Sequence, residues 1–292
     1  METARDDMQS KVCLVTGATS GLGQVTAHEL ARKGATVVVV GRSWQKAETT
    51  VDEIKSQTSN ENVEYLLADL SSQQEIRNLA SEFKTRHEHL DVLVNNAGAI
   101  FSEYGETVDG IERTFAVNHL NYFLLTNLLL DTLKAGAPSR VVNVASGAHN
   151  GAGLDFDDLG IRQNYGFMKA YSRSKLANVL FTYELARRLE GTGVTANALH
   201  PGAVATNFGS NNAVWYARPV LALFHLFATT PEKGAETSVH LASAPEVEGV
   251  TGQYFANKKP VASSKASYDE ETARRLWHVS EALTDLTEVE TA

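Results

Sequence analysis

Cysteine is nearly missing from this chain: Cys13 is the only one in 292 residues. No disulfide can form within the chain, which fits a reducing compartment and excludes a stapled secreted scaffold. Cys13 lies inside an apolar run, so its expected role is that of a small buried hydrophobe. Positive charge is short too. Lys and Arg number 26 against 35 Asp and Glu, giving a net charge of -9. No basic run concentrates charge locally, so nucleic acid is not an expected partner. Long hydrophobic runs are also lacking, since none reaches the ~18–20 apolar residues that a spanning helix needs. The nearest, Ala213 to Ala228, is interrupted by Arg218, Pro219 and His225. The opening, Met1 to Ser10, is polar and mixed in charge, unlike a signal peptide. No metal-ligand cluster is visible, and a soluble, cytoplasmic protein is expected.

What is present is ordinary for a globular enzyme, with 43% hydrophobic and 21% charged residues. Short apolar runs alternate with amphipathic ones. Strands are expected at Val12–Val15, Thr36–Val40, Val63–Leu67, Asp91–Val94, Arg140–Val144 and Val194–Leu199, with a last one in Gly252–Phe255. Helices are expected over about 24–33, 44–56, 73–86, 111–134, from the Tyr171–Lys175 stretch to near Gly191, 231–242 and 269–286. The β-branched run Thr36–Val40 is the mark of a strand covered on both faces. Such alternation predicts an α/β fold, a doubly wound parallel sheet of about seven strands with helices on both faces, in a single domain over 1–292. Ligands then gather at the carboxyl ends of the strands.

Three stretches stand at those ends. The first, Thr16–Gly23, runs Gly17, Thr19, Ser20, Gly21, Leu22, Gly23 between the first strand and first helix. Glycines there let a pyrophosphate approach main-chain N–H groups at the helix start. The second, Gly41-Arg42-Ser43, has no carboxylate where an acidic residue would hold ribose hydroxyls. The Arg42 guanidinium instead favours a 2′-phosphate, so NADP(H) is the expected cofactor. The third set is Asp69 and Leu70, placed to meet the adenine, with Asn96, Ala97 and Gly98 along the ribose path; Asp and Asn are also common turn formers.

Tyr171-Ser172-Arg173-Ser174-Lys175 opens a helical pattern. Residues four apart share a helix face, so the phenol and the ammonium reach one small volume. A phenol titrates near ~10 and is a poor proton donor or acceptor at neutral pH. A fixed cation beside it favours phenolate, so Lys175 is expected to lower the Tyr171 pKa.

Together with Asn118 and Ser146, these motifs resemble the short-chain dehydrogenase/reductase family over nearly the whole chain. Phe115–Leu120, Val142–Ser146 and Arg275–Ser280 are similar to its retinol-dehydrogenase-like branch. The resemblance implies that Tyr171 exchanges the proton and that Lys175 tunes it and holds the nicotinamide ribose. It implies that Ser146 bonds the substrate oxygen and that Asn118 anchors a relaying water. Pro201, Gly202, Val204 and Thr206 would line the nicotinamide. The aromatic-rich segment near 205–230, with Trp215 and Phe224, would be a substrate lid; its alternatives are core packing or shallow membrane docking. The activity implied is an NADP-dependent oxidoreductase acting on the carbonyl or alcohol carbon of a bulky apolar substrate, retinal- or retinol-like. The alternatives are reduction of a carbon–carbon double bond or a non-catalytic NADP(H) sensor. A homo-oligomer pairing through the helices of Asn118 and Tyr171 is the family-level expectation.

Overall fold

The computed structural model describes residues 8–202 and 230–286. Its elements run β1 Val12–Thr16, α1 Gly21–Arg32, β2 Thr36–Gly41, α2 Trp44–Thr58, β3 Val63–Leu67, α3 Gln73–Arg86 and β4 Val92–Asn95. Then come α4 Arg113–Phe115, a π-helical turn Ala116–Leu120, α5 Asn121–Leu128, α6 Leu130–Ala135, β5 Ser139–Val144, α7 Phe167–Arg188 and β6 Val194–Leu199. Helix α8 (Pro231–Ser243), β7 (Tyr254–Ala256), β8 (Lys259–Pro260) and α9 (Glu270–Leu283) complete the described chain.

The eight strands form one sheet in the order β3-β2-β1-β4-β5-β6-β7-β8. All neighbours are parallel except β8, which pairs antiparallel with β7. The order reverses between β1 and β4, which opens the crevice where such sheets bind ligands.

Alternation along the strands builds a core on each face. Leu14, Val38, Val40, Leu93 and Val141 point to one side, against Phe83 of α3 and Phe123 of α5. Cys13, Val15, Val37, Val39, Val92 and Val94 point to the other, against Ala27 and Leu30 of α1 and Leu241 of α8. A strand with both faces covered needs apolar residues at every position, which is why Thr36–Val40 reads as continuous rather than alternating. Each such valine or leucine contributes about 1.5–3 kcal/mol by leaving water, so Val39→Asp would break the packing of β2 between β1 and β3. Cys13 is fully buried, and burial holds its thiol well above the ordinary range, in keeping with a hydrophobe.

Two expectations change in detail. The helix expected over about 111–134 is broken into α4, the π turn, α5 and α6, and begins at Arg113. Glu112 sets that start as its N-cap, its carboxylate accepting from Thr114 N at 2.7 Å and Phe115 N at 2.8 Å. A π turn adds one residue and shifts the helical phase, but residues 114–130 are buried on nearly every side, so there is no apolar stripe whose shift could reveal it. The sheet also has an eighth strand, two residues long, returned by a tight turn with Asn257 and Lys258 at positive φ. Among the described residues no helix is long and apolar enough to cross a membrane, and no group of His, Cys, Asp and Glu could hold a metal ion.

Candidate active site

The glycine-rich loop is built against the end of β4. Thr16 is fully buried, and its Oγ1 accepts from Asn96 N at 2.9 Å and Ala97 N at 3.0 Å. Asn96 returns the contact by donating from Nδ2 to Thr16 O at 2.8 Å. A side chain at Gly23 would put Cβ 2.4 Å from Asn96 Nδ2 and 2.5 Å from Gly17 O, and Gly17 itself has φ +64. Backbone can approach this closely only without a Cβ. Ser43, Ser72, Thr230 and Asp269 each cap the helix that follows with a side-chain oxygen. Ser20, before α1, makes no side-chain cap bond. The first N–H groups of α1 therefore keep their hydrogen-bonding capacity for an anion. The cradle fits a dinucleotide pyrophosphate.

Arg42 follows β2 on the surface. Among the described residues no ion pair or hydrogen bond involves its guanidinium. Asp69 folds back on itself, Oδ1 accepting from Ser71 N at 2.9 Å and Ser71 Oγ at 2.8 Å. Leu70 is buried in the core. Thr19 lies in the β1–α1 loop, Gly21 and Leu22 open α1, and Ala97 and Gly98 lie in the loop after β4.

The structure brings the four remaining side chains together. Tyr171 lies in the first turns of α7 and is hydrogen-bonded to Ser146, which follows β5. Lys175 Nζ lies 5.7 Å from the Tyr171 ring centroid, is buried, and donates to Val144 O at 2.9 Å. Asn118 sits in the π turn, accepting from Ala99 N at 2.7 Å and donating to Ala99 O at 2.9 Å and Ser174 Oγ at 3.0 Å. Both amide hydrogens are thus engaged, which leaves one Oδ1 lone pair and the main-chain carbonyl for any further contact. Ser146 is at once a cap, accepting from Ala148 N at 3.2 Å, and a partner of Tyr171.

The electrostatics correct one expectation. Burial pushes the Tyr171 phenol up to about 12, and the Ser146 hydrogen bond draws it partly back. Burial pulls Lys175 down to about 7. The lysine does not acidify the tyrosine, because desolvation outweighs attraction when a shared pocket withholds water from both charged forms. Near neutral pH the phenol is protonated and the amine is close to its midpoint.

Pro201 and Gly202 follow β6, with Gly202 N donating to His200 Nδ1 at 3.1 Å. Val204, Thr206 and the expected lid near 205–230 lie outside the described residues. A groove of about 770 Å³ opens at the other end of the sheet, lined by Lys11, Asp91, Arg140 and Val194. Its charges are already engaged, Lys11 with Asp91 at 2.8 Å and Arg140 with the carbonyls of Leu241 and Ala244. It is remote from Tyr171 and lies at the amino ends of the strands, where such sheets do not place their ligands.

The family described as short chain dehydrogenase matches residues 11–217. This chain belongs to it. Retinol dehydrogenase 14 of Homo sapiens is 45% identical, with 96% of this chain and 88% of that protein covered. Retinol dehydrogenase 12 of Mus musculus is 44% identical, over 95% and 87%. Both bear out the resemblance to the retinol-dehydrogenase-like branch. Among solved structures, one from Mycobacterium paratuberculosis is 36% identical with a TM-score of 0.77, covering 97% of each chain. A short chain dehydrogenase of Burkholderia cenocepacia in complex with NADP is 25% identical, with a TM-score of 0.69 over 86% of this chain and 97% of that one. The protein is therefore a short-chain dehydrogenase/reductase, an oxidoreductase of alcohol and carbonyl groups that uses a nicotinamide dinucleotide.

Sequence reasoning missed several residues packed behind these groups. Ser174 takes the Asn118 amide, and His149 and Ser264 stand behind Ser146. Only Ser174 carried a local signal, as the middle of the Tyr171–Lys175 stretch. The contact between His149 and Ser264 spans most of the second half of the chain, and no spacing rule connects them.

Proposed function

We propose that this enzyme interconverts bulky apolar aldehydes or ketones, retinal-like in character, with their alcohols, using NADP(H). The observation that carries the reading is the hydrogen bond between Ser146 and a Tyr171 held in its protonated form, with Lys175 beneath the same ring. Such a pair faces a carbonyl oxygen with one hydroxyl that bonds it and one that gives it a proton as negative charge develops there. A phenol pushed up to about 12 is still far more acidic than an alkoxide's conjugate alcohol, so transfer toward substrate is downhill. Lys175 keeps Val144 O engaged, which holds its Nζ on the β5 side of the tyrosine.

The bound nicotinamide would supply or accept the hydride. Its pyrophosphate would rest on the N–H groups of Gly21 to Gly23, and Lys175 would hold the ribose. Arg42 supports the phosphorylated form of the cofactor, since an exposed guanidinium stands where a carboxylate would repel a 2′-phosphate. The Burkholderia relative in complex with NADP supports the same choice. The retinol dehydrogenases among the relatives support a long apolar substrate. So does Met168, one turn before Tyr171 on its face of α7 and 49% exposed.

Cofactor consumption measured with NADPH and NADH against a series of aldehydes of rising apolar length tests this reading. NADPH is expected to support turnover, with kcat/KM climbing along the series. Equal turnover with NADH, or a preference for short polar aldehydes, would contradict it.

A further inference from the structure

Ser146 and Tyr171 stand on different elements, one after β5 and one on α7, with a long, largely irregular connection between them. Their mutual bond therefore depends on what holds each from behind. The segment 261–268, far along the chain, touches both supports.

The first arm runs through His149. Its Nδ1 lies 2.7 Å from Ser146 O, and its Nε2 lies 2.9 Å from Ser264 N. A main-chain N–H can only donate, so Nε2 must be bare and Nδ1 must carry the hydrogen that goes to the Ser146 carbonyl. Two backbone groups thus dictate one tautomer. The ring is fully buried and packs on Tyr254 at 4.8 Å between centroids. The second arm runs through Tyr183, three turns beyond Tyr171 on α7. Its hydroxyl meets Ser263 Oγ at 2.7 Å, Ser263 Oγ meets Ser267 Oγ at 2.7 Å, and Ser267 donates to Ser264 O at 2.7 Å. The last donation sets the direction of the chain, which starts at the Tyr183 O–H. Tyr268 closes it, stacked on Tyr183 at 5.5 Å and accepting from Ser263 N at 3.1 Å.

We propose that Ser263-Ser264 is a two-armed clamp on the proton-transfer site, with His149 a positioning residue that sets Ser146 against Tyr171 only as its neutral Nδ1–H tautomer. This rests on the reading of Ser146 and Tyr171 given above. A protonated imidazole would turn Nε2 into a donor facing the Ser264 donor, and the first arm would open. Tyr254 of β7 packs on the ring with its hydroxyl 3.4 Å from Nδ1, Tyr183 of α7 packs with Tyr254, His200 lies beyond Tyr254, and burial keeps both phenols protonated. None of these groups carries a negative charge to balance a charged ring. Burial accordingly lowers the His149 pKa, against the Ser146 carbonyl that raises it.

Ser264 offers a narrow test, because its φ of -64 is already that of proline. Ser264→Pro deletes the N–H, and Ser264→Ala keeps it. For Ser264→Pro, kcat for carbonyl reduction is expected to fall about tenfold with the KM for NADPH unchanged, and the acid limb of the pH profile to move upward; Ser264→Ala should show a smaller loss and no such move. Ring 15N shifts of His149 in the unaltered enzyme should report a protonated Nδ1 and a bare Nε2 from neutral pH into mild acid. Matching pH profiles for the two variants, or an Nε2–H signal, would overturn the clamp. Should Ser264→Pro fail to fold, the ring shifts decide alone. An enzyme that reduces no carbonyl compound yet shows the Nδ1–H signal would sink the functional reading and leave the tautomer standing.

Discussion

Strands β1 and β2 bury valines on both faces and keep their polar contacts at strand ends, whereas β5, α5 and α7 bury polar side chains along their length. In the first region, function lies in the backbone: N–H groups at the start of α1, a loop that admits no Cβ, and one exposed guanidinium. In the second it lies in side chains that fix one another. Asn95 donates to Thr126 at 2.9 Å and to Asn143 at 2.9 Å, and Asn143 donates to Thr182 at 2.9 Å. Beside this ladder, His119 meets Ser280 of α9 at 3.0 Å, and burial pulls its pKa to about 3. A buried polar network is costly wherever a member lacks a partner, as Asn95 Oδ1 and Asn127 Oδ1 do here, so each bond that is made there matters more than one at an exposed rim. The cofactor side can therefore tolerate side-chain change at its exposed rim, and the chemistry side cannot.

The same packing extends to α9. Helices α5 and α7 are covered along most of their length by the chain's own elements, with Trp277 of α9 packed on Phe123 at 4.9 Å and Phe181 at 5.8 Å.

The largest break in the comparison is expected from Tyr171→Phe, which keeps the ring and removes the proton. Steady-state reduction should slow by about 10²–10⁴-fold while NADPH binding holds. Next comes Lys175→Met, read by thermal or denaturant unfolding. The amine titrates at 10.5 when unfolded and about 7 when folded, so the folded state binds fewer protons between those values. Wild-type stability should then climb with pH across that window, and the variant's should not. Below it the variant is expected to be the more stable, by on the order of a few kcal/mol, and the difference should vanish as pH passes the upper value. The smallest effect is on the other side of the sheet. Arg42→Ala should weaken NADPH about tenfold, roughly 1.4 kcal/mol, with NADH binding and kcat unchanged. If Arg42→Ala instead lowered kcat, the division between the two regions would not hold.

This division also governs what the sequence revealed. The valine runs, the Gly17–Gly23 spacing and the Arg42 position are local signals, and each maps to one element in the fold. Tyr171 and Lys175 were legible as a pair because a helix turn joins them, but their electrostatics were not, since burial comes from Tyr122, Val144 and the rest of the pocket wall. The π turn at Ala116–Leu120 was invisible because the helix around it is buried nearly all round, with no apolar stripe to show the shift. His149 was invisible because its partner is supplied by the far end of the chain. Local pattern shows where a residue stands; only the packed fold shows what surrounds it.

The central claim is that burial, opposed by Ser146 and not aided by Lys175, keeps the Tyr171 phenol protonated until it meets its substrate. Ultraviolet difference titration of the free enzyme against Tyr171→Phe measures that ionisation directly. The phenolate signal assigned to Tyr171 should be absent near neutral pH and rise only toward about 12. A signal rising below the ordinary tyrosine range would contradict the account and restore the lysine as the acidifying group.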